Sequence, residues 1–246
     1  MSRETQTGTR RPRSLGFATD EALLVLQGGV VEAHRAYLVE RMPANPTYHW
    51  GNCLILDGAP ERGSLAAWVA TFRAEHPGAA HVAIGIDDPA AELDPAEAGA
   101  LGLAIERDIV LTATELTPSA HPEPDGVRCE PFHVDDDAAW TESVELDLAD
   151  HLAESPDDDA VGHRAFLQAR HEGLRRLQRA GHGAWFGART SEGRLVATLG
   201  VYRAGLGLAR YQSVLTDRAH RRRGSPAPCC GTPERGLGAT SQRRPW

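Results

Sequence analysis

A chain of 246 residues with an ordinary apolar share has room for one large domain or two small ones. It contains no apolar run near the roughly 18 residues of a membrane span. A net charge of −8 speaks against a general nucleic-acid binder.

The polar start, residues 1–15, lacks the apolar core of a signal peptide and is expected to be disordered. From residue 16 the pattern alternates. Apolar runs occur at Ala22–Leu26, Tyr37–Val39 and Cys53–Leu56. Leu65, Trp68, Val69 and Phe72 follow the spacing of a helix face. His81–Ile86 reads as a strand, Pro95–Ala104 as a helix and Asp108–Ala113 as a further strand. Asn45–Asn52 is rich in turn formers and aromatics, and reads as a structural turn that packs Trp50 on a core. Residues 16–115 therefore form a first α/β segment.

Leu116–Asp125 carries three prolines and no apolar period, and reads as a linker over 116–125. The second segment, 126–224, opens with a strand at Val127–Phe132. Trp140, Val144, Leu148 and Leu152 form a helical stripe. Asp135–Asp137 lie just before it, where carboxylates suit the helix N-terminus. Asp157–Asp159 open the next helix in the same way, and Phe166, Ala169, Leu174 and Leu177 mark its apolar face. His163 and His171 on that helix are expected at the surface. Three alternating runs follow, Ala184–Arg189, Leu195–Tyr202 and Leu208–Thr216, joined by short turns, which predicts an antiparallel meander.

The chemistry concentrates after the third run. Arg221-Arg222-Arg223-Gly224 is a tight basic turn at a strand end. Backbone N–H groups converging there before a helix would favour an anion, and arginines add charge-assisted bonds. The four cysteines, Cys53, Cys129, Cys229 and Cys230, lack the paired spacing of a zinc site, so no metal is expected. They read as incidental thiols of a cytoplasmic protein.

Residues 183–202, GAWFGARTSEGRLVATLGVY, and residues 209–224, ARYQSVLTDRAHRRRG, resemble the GNAT (Gcn5-related N-acetyltransferase) family. The order of strand, two helices, meander and Arg-x-x-Gly turn resembles it as well. The likeness covers about 126–224. It implies an α/β (α+β) fold: a mixed, largely antiparallel sheet flanked by helices, in two tandem GNAT-like segments of which the first is degenerate and the second incomplete. It implies acetyl-CoA as acyl donor and an amine, on a small molecule or a peptide, as acceptor. By position, strand-four backbone at Val214, Leu215 and Thr216 would pair with the pantetheine arm, and Arg221, Arg222, Arg223 and Gly224 would hold the pyrophosphate. The second glycine or alanine of the family motif is absent, with Pro226 in its place. Strand four carries Arg210 and Gln212 where many members carry a carboxylate base. Glu142 and Glu145 are candidate bases. No tyrosine follows Tyr211 to serve as the acid, so the catalytic residues are unassigned.

Residues 225–246 break the pattern. They hold three prolines before Glu234 and one leucine, and are expected to be loosely attached. All 26 basic residues are arginine, which suggests a GC-rich gene. With GC-rich codons, a shifted frame after Gly224 reads Leu-Ala-Gly-Thr-Leu-Leu-Arg, which supplies the missing alanine and an apolar helical stripe. A non-catalytic acyl-CoA-binding or sensing protein of the same fold is the alternative reading. Nucleic-acid binding through Arg218, Arg221, Arg222, Arg223 and Arg235 is a third, opposed by the acidic remainder.

Overall fold

A computed structural model describes residues 11–115, 126–205 and 207–221, together with the backbone of 238–242. The chain divides into two compact units after Ile109. That point lies before the expected linker, and residues 116–125 themselves are outside the described residues.

The first unit begins with helix α1 (Leu15–Leu26), whose first turn is capped by Ser14 accepting from the Phe17 N–H. The expectation of a disordered start fails for its last residues. Asp87 accepts from the backbone N–H groups of Arg13 and Ser14, and the Arg13 guanidinium donates to the Asp87 carbonyl at 2.9 Å. Strands β1 (Val30–Ala33), β2 (Tyr37–Arg41) and β3 (Cys53–Leu56) pair antiparallel. Helix α2 (Leu65–Glu75) then crosses over to β4 (Ile84–Ile86), which pairs parallel with β3, as a parallel connection requires. All four residues of β3 are buried, and Leu38, Val39, Leu54, Ile55 and Phe72 form the core around it. Trp50 sits in a short 3-10 turn (His49–Gly51) and packs on this core, as its aromatic turn predicts. Helix α3 (Pro95–Ala100) is shorter than expected, ending before Gly102, whose φ is +70°. Its Glu97 accepts from the Gly63 and Leu65 N–H groups at 2.9 and 2.7 Å and so caps α2 from outside.

The second unit has a six-stranded sheet. Strand β5 (Val110–Ala113), expected in the first segment, belongs here instead. After β6 (Val127–Pro131) come helices α4 (Asp137–Glu154) and α5 (Ala160–Arg179). The meander follows as β7 (Gly183–Thr190), β8 (Leu195–Arg203) and β9 (Leu208–Thr216), and β10 (Gly238–Gln242) completes the set. The sheet order is β5-β10-β9-β8-β7-β6. β6 to β9 are antiparallel; β10 is parallel to β9 and antiparallel to β5. The strand β10 corrects the expectation of a loosely attached tail for five of its residues. A ladder is held by backbone groups and needs little apolar side-chain surface. Residues 222–237 and 243–246 lie outside the described residues.

The acidic runs do cap helices. Asp136 accepts from the Ala139 N–H at 3.0 Å and Asp159 from the Val161 N–H at 3.0 Å. The apolar stripe of α4, through Trp140, Val144 and Leu148, meets Leu167 on α5 and is buried. The two histidines of α5 are not surface groups. His171 is buried, and His163 is half-buried with its ring 3.6 Å from that of His151. Among the described residues no helix is long and apolar enough to cross a membrane.

Candidate functional site

β9 changes character halfway along. Gly200 pairs with Gln212, but Thr198 pairs with Leu215, so an extra residue is inserted on β9. Ser213 takes up the distortion with φ 45°, the one positive φ at a non-glycine among the described residues. Before the bulge, β9 is held on both sides: β10 pairs with Leu208, Ala209 and Arg210. Beyond it, among the described residues, Val214, Leu215 and Thr216 have β8 on one side and no strand on the other. Val214 is 60% exposed. The segment singled out for the pantetheine arm is thus an open strand edge, able to accept an extended amide chain.

The exit of β9 is fixed by ion pairs. Asp217 caps the 3-10 turn Arg218–His220 by accepting from the Ala219 N–H at 2.8 Å, and also binds Arg194 at 2.7 Å. Arg221 donates from Nε to the Thr216 carbonyl at 2.9 Å. Its other end and Arg218 share the carboxylate of Asp150 on α4, at 2.5 and 2.8 Å. The first arginine of the basic turn is therefore tied down beside the open edge. Arg222, Arg223 and Gly224 lie outside the described residues.

The two candidate bases are engaged otherwise. Glu145 forms a two-pronged pair with Arg164, at 2.8 and 2.7 Å, which holds its carboxyl below the usual range. Glu142 accepts from the Leu195 N–H at 3.1 Å and pairs with Arg189 at 2.6 Å. Both link α4 to other elements rather than facing β9. Gln212, on the strand, accepts from Arg170 of α5 at 2.9 Å. Arg210, two residues earlier and so on the same face, is buried.

Under α4 and α5 the fold assembles a polar group that the sequence did not announce. Ser143 and His171 are buried, with Ser143 Oγ 3.1 Å from His171 Nε2. Trp185 Nε1 donates to the same Ser143 oxygen at 3.1 Å. His171 Nδ1 lies 3.0 Å from the Leu167 carbonyl, which can only accept. The proton must therefore sit on Nδ1, and Nε2 accepts from Ser143. Burial pushes the imidazole down to about 4, so it is neutral near pH 7. Asp147 Oδ2 stands 3.8 Å from the same Nε2. The residue types are those of a serine-hydrolase triad, but the geometry is not. A triad needs the carboxylate on Nδ1 and the hydroxyl alone on Nε2, whereas here both approach Nε2 and Nδ1 is closed by a carbonyl. Ser143, closed between indole and imidazole, is a packing element. The spacing of His171 with Leu167 and Leu174 is the signal that placed it on the buried stripe.

No family model matches the chain, and a search of curated proteins finds no match. Among solved structures, a GCN5-related N-acetyltransferase from Kribbella flavida is similar over 94% of this chain and 87% of its own, at 16% identity and a TM-score of 0.48. A tandem GNAT protein from the clavulanic acid biosynthesis pathway, without AcCoA, is similar over 96% of this chain and 82% of its own, at 16% identity and a TM-score of 0.44. An acetyltransferase of the GNAT family from Staphylococcus aureus Mu50 is similar over 39% of this chain, at 15% identity and a TM-score of 0.32; the chain spans 56% of that protein's length. At these identities and scores the chemistry rests on the residues of this chain.

Proposed function

We propose that the second unit is an acyl-CoA site of the GNAT type, which transfers an acetyl group from acetyl-CoA to an amine of a small-molecule or peptide acceptor in the cytoplasm. The observation that carries this reading is the bulge at Ser213. β10 pairs with β9 only as far as Arg210, so beyond the bulge Val214–Thr216 form an open edge among the described residues, next to an arginine turn at the strand's end. Pantetheine is an extended chain with two amides, suited to an open strand edge, and its pyrophosphate suits a basic turn. Direct attack of an amine on a thioester needs mainly proximity, an oxyanion contact and proton removal, which a cleft at a strand edge can supply.

Titration calorimetry with acetyl-CoA tests the reading. Saturable binding, weakened tenfold or more in Arg221→Ala, is the expected result. No heat at millimolar acetyl-CoA would sink it. The lack of any tyrosine after Tyr211 favours a second reading, a non-catalytic acyl-CoA-binding protein. Acetyl-CoA binding with no thiol released in the presence of any amine would select that one.

A further inference from the structure

Helix α4 carries six carboxylates, and the arginines around it sort them. Asp137 is held by Arg175 at 2.6 Å, Glu142 by Arg189 at 2.6 Å and Glu145 by Arg164 at 2.7 Å. Asp150 is held by Arg221 at 2.5 Å and Glu154 by Arg218 at 2.8 Å. The sixth, Asp147, is the one that is buried, and among the described residues no arginine holds it at such a distance. Among the described residues, His171 Nε2 stands 3.8 Å from it, beyond hydrogen-bond reach, and that lone pair already accepts from Ser143. Of the Asp147 side chain, 11% is accessible.

Asp147 lies one turn before Asp150, which anchors the exit of β9. The elements around it present Arg170 and His171 from α5 and Asp150 from its own helix. β9 contributes Gln212, bonded to Arg170, and on the same face Arg210. Arg170, whose charge acts on this carboxyl, is thus bonded to Gln212 on β9 just before its bulge. We propose that Asp147 is the proton acceptor that makes the acceptor amine nucleophilic in acyl transfer at this site. The inference rests on the reading of the site as an acetyl-CoA site. In the step, the ionised Asp147 takes one proton from the ammonium form of the acceptor. The nitrogen lone pair then bonds to the thioester carbonyl carbon. The C–S bond breaks with its electrons going to sulfur, the thiolate takes the second nitrogen proton, and Asp147 returns its proton to water. Burial of the carboxyl, opposed by the Arg170 charge, pushes it up to about 7, which matches a proton acceptor working near neutrality.

The test uses the full chain, acetyl-CoA and a panel of primary amines: benzylamine, a polyamine and a peptide with a free N-terminus. Thiol release is followed from pH 5.5 to 9 in the unaltered protein, Asp147→Asn and Asp147→Ala, with acetyl-CoA affinity measured separately by calorimetry. The expected result is amine-dependent release that rises through about pH 7 in the unaltered protein. Asp147→Asn should lower kcat by about a hundredfold or more, without that rise and with acetyl-CoA affinity unchanged. Formate should restore part of the rate to Asp147→Ala, which a merely structural role would not allow. If the unaltered protein binds no acetyl-CoA, the reading of the site falls. If it binds but Asp147→Asn keeps its rate and pH profile, or if no amine is acylated, the reading of the ligand stands and the role of Asp147 is overturned.

Discussion

Gly200 lies directly across the β7–β8 ladder from Trp185, and a Cβ built on it would meet the indole at 2.7 Å. The contact is with a fully buried ring whose Nε1 is fixed by Ser143. The indole cannot retreat without giving up that bond, so the glycine is required by the close approach. Gly200→Ala should destabilise the second unit by about 1–3 kcal/mol through overpacking. Urea unfolding followed by Trp fluorescence measures it. A loss under a few tenths of a kcal/mol would mean the indole has room this packing denies it.

Asp147 and His171 should give stability opposite pH dependences. The Asp147 carboxyl is raised to about 7 by burial, so between about pH 4 and 7 the folded chain keeps a proton that the unfolded chain releases. Its contribution therefore declines as pH rises through that window. The buried His171, lowered to about 4, works the other way: the unfolded chain gains a proton as pH falls below its ordinary value, and stability is lost towards pH 4. Asp147→Asn removes only the first effect. Near pH 4 it should match the unaltered protein. Near pH 7.5 it should be the more stable of the two, by at most about 4 kcal/mol. Equal stabilities at both pH values would show that the carboxyl titrates normally.

What the sequence revealed follows from how local each signal was. The meander was readable because Ser191–Gly193 and Ala204–Gly207 punctuate three alternating runs. α4 and α5 were readable from their stripes and the aspartates before them. β1 was missed because four residues after a Gly-Gly pair carry no period. β5 was readable as a strand but not as a member of the second sheet, since pairing partners are set by tertiary contacts. Asp147 and His171 were hidden by type: polar residues at the border of an apolar stripe read as solvated until their neighbours close over them. The bulge at Ser213 has no sequence mark, because serine does not announce a positive φ as glycine would.

Glu145 offers a contrast to Asp147 on the same helix. Its carboxylate is exposed and forked with Arg164, so it is ionised well below neutral pH. Glu145→Gln should leave the pH profile of thiol release unchanged and alter the rate less than twofold. Steady-state kinetics on this variant beside Asp147→Asn separates general loss of negative charge on α4 from a specific proton acceptor. An equal loss in both would remove the distinction.

The residues after Gly224 set the last expectation. A pyrophosphate held by backbone N–H groups needs a helix start there, and Pro226 and Pro228 carry no N–H to give. Each lost charge-assisted contact is worth roughly 1.5–3 kcal/mol. Two such losses weaken binding by about a hundredfold or more. Replacing the residues after Gly224 with the Leu-Ala-Gly-Thr-Leu-Leu-Arg continuation of the shifted frame should therefore tighten acetyl-CoA binding by at least that factor, as calorimetry would read it. Sequencing the gene across the codon for Gly224 should find a frame that continues in this way. Equal and tight affinity in the two proteins would mean that residues 225–246 complete the site as they stand.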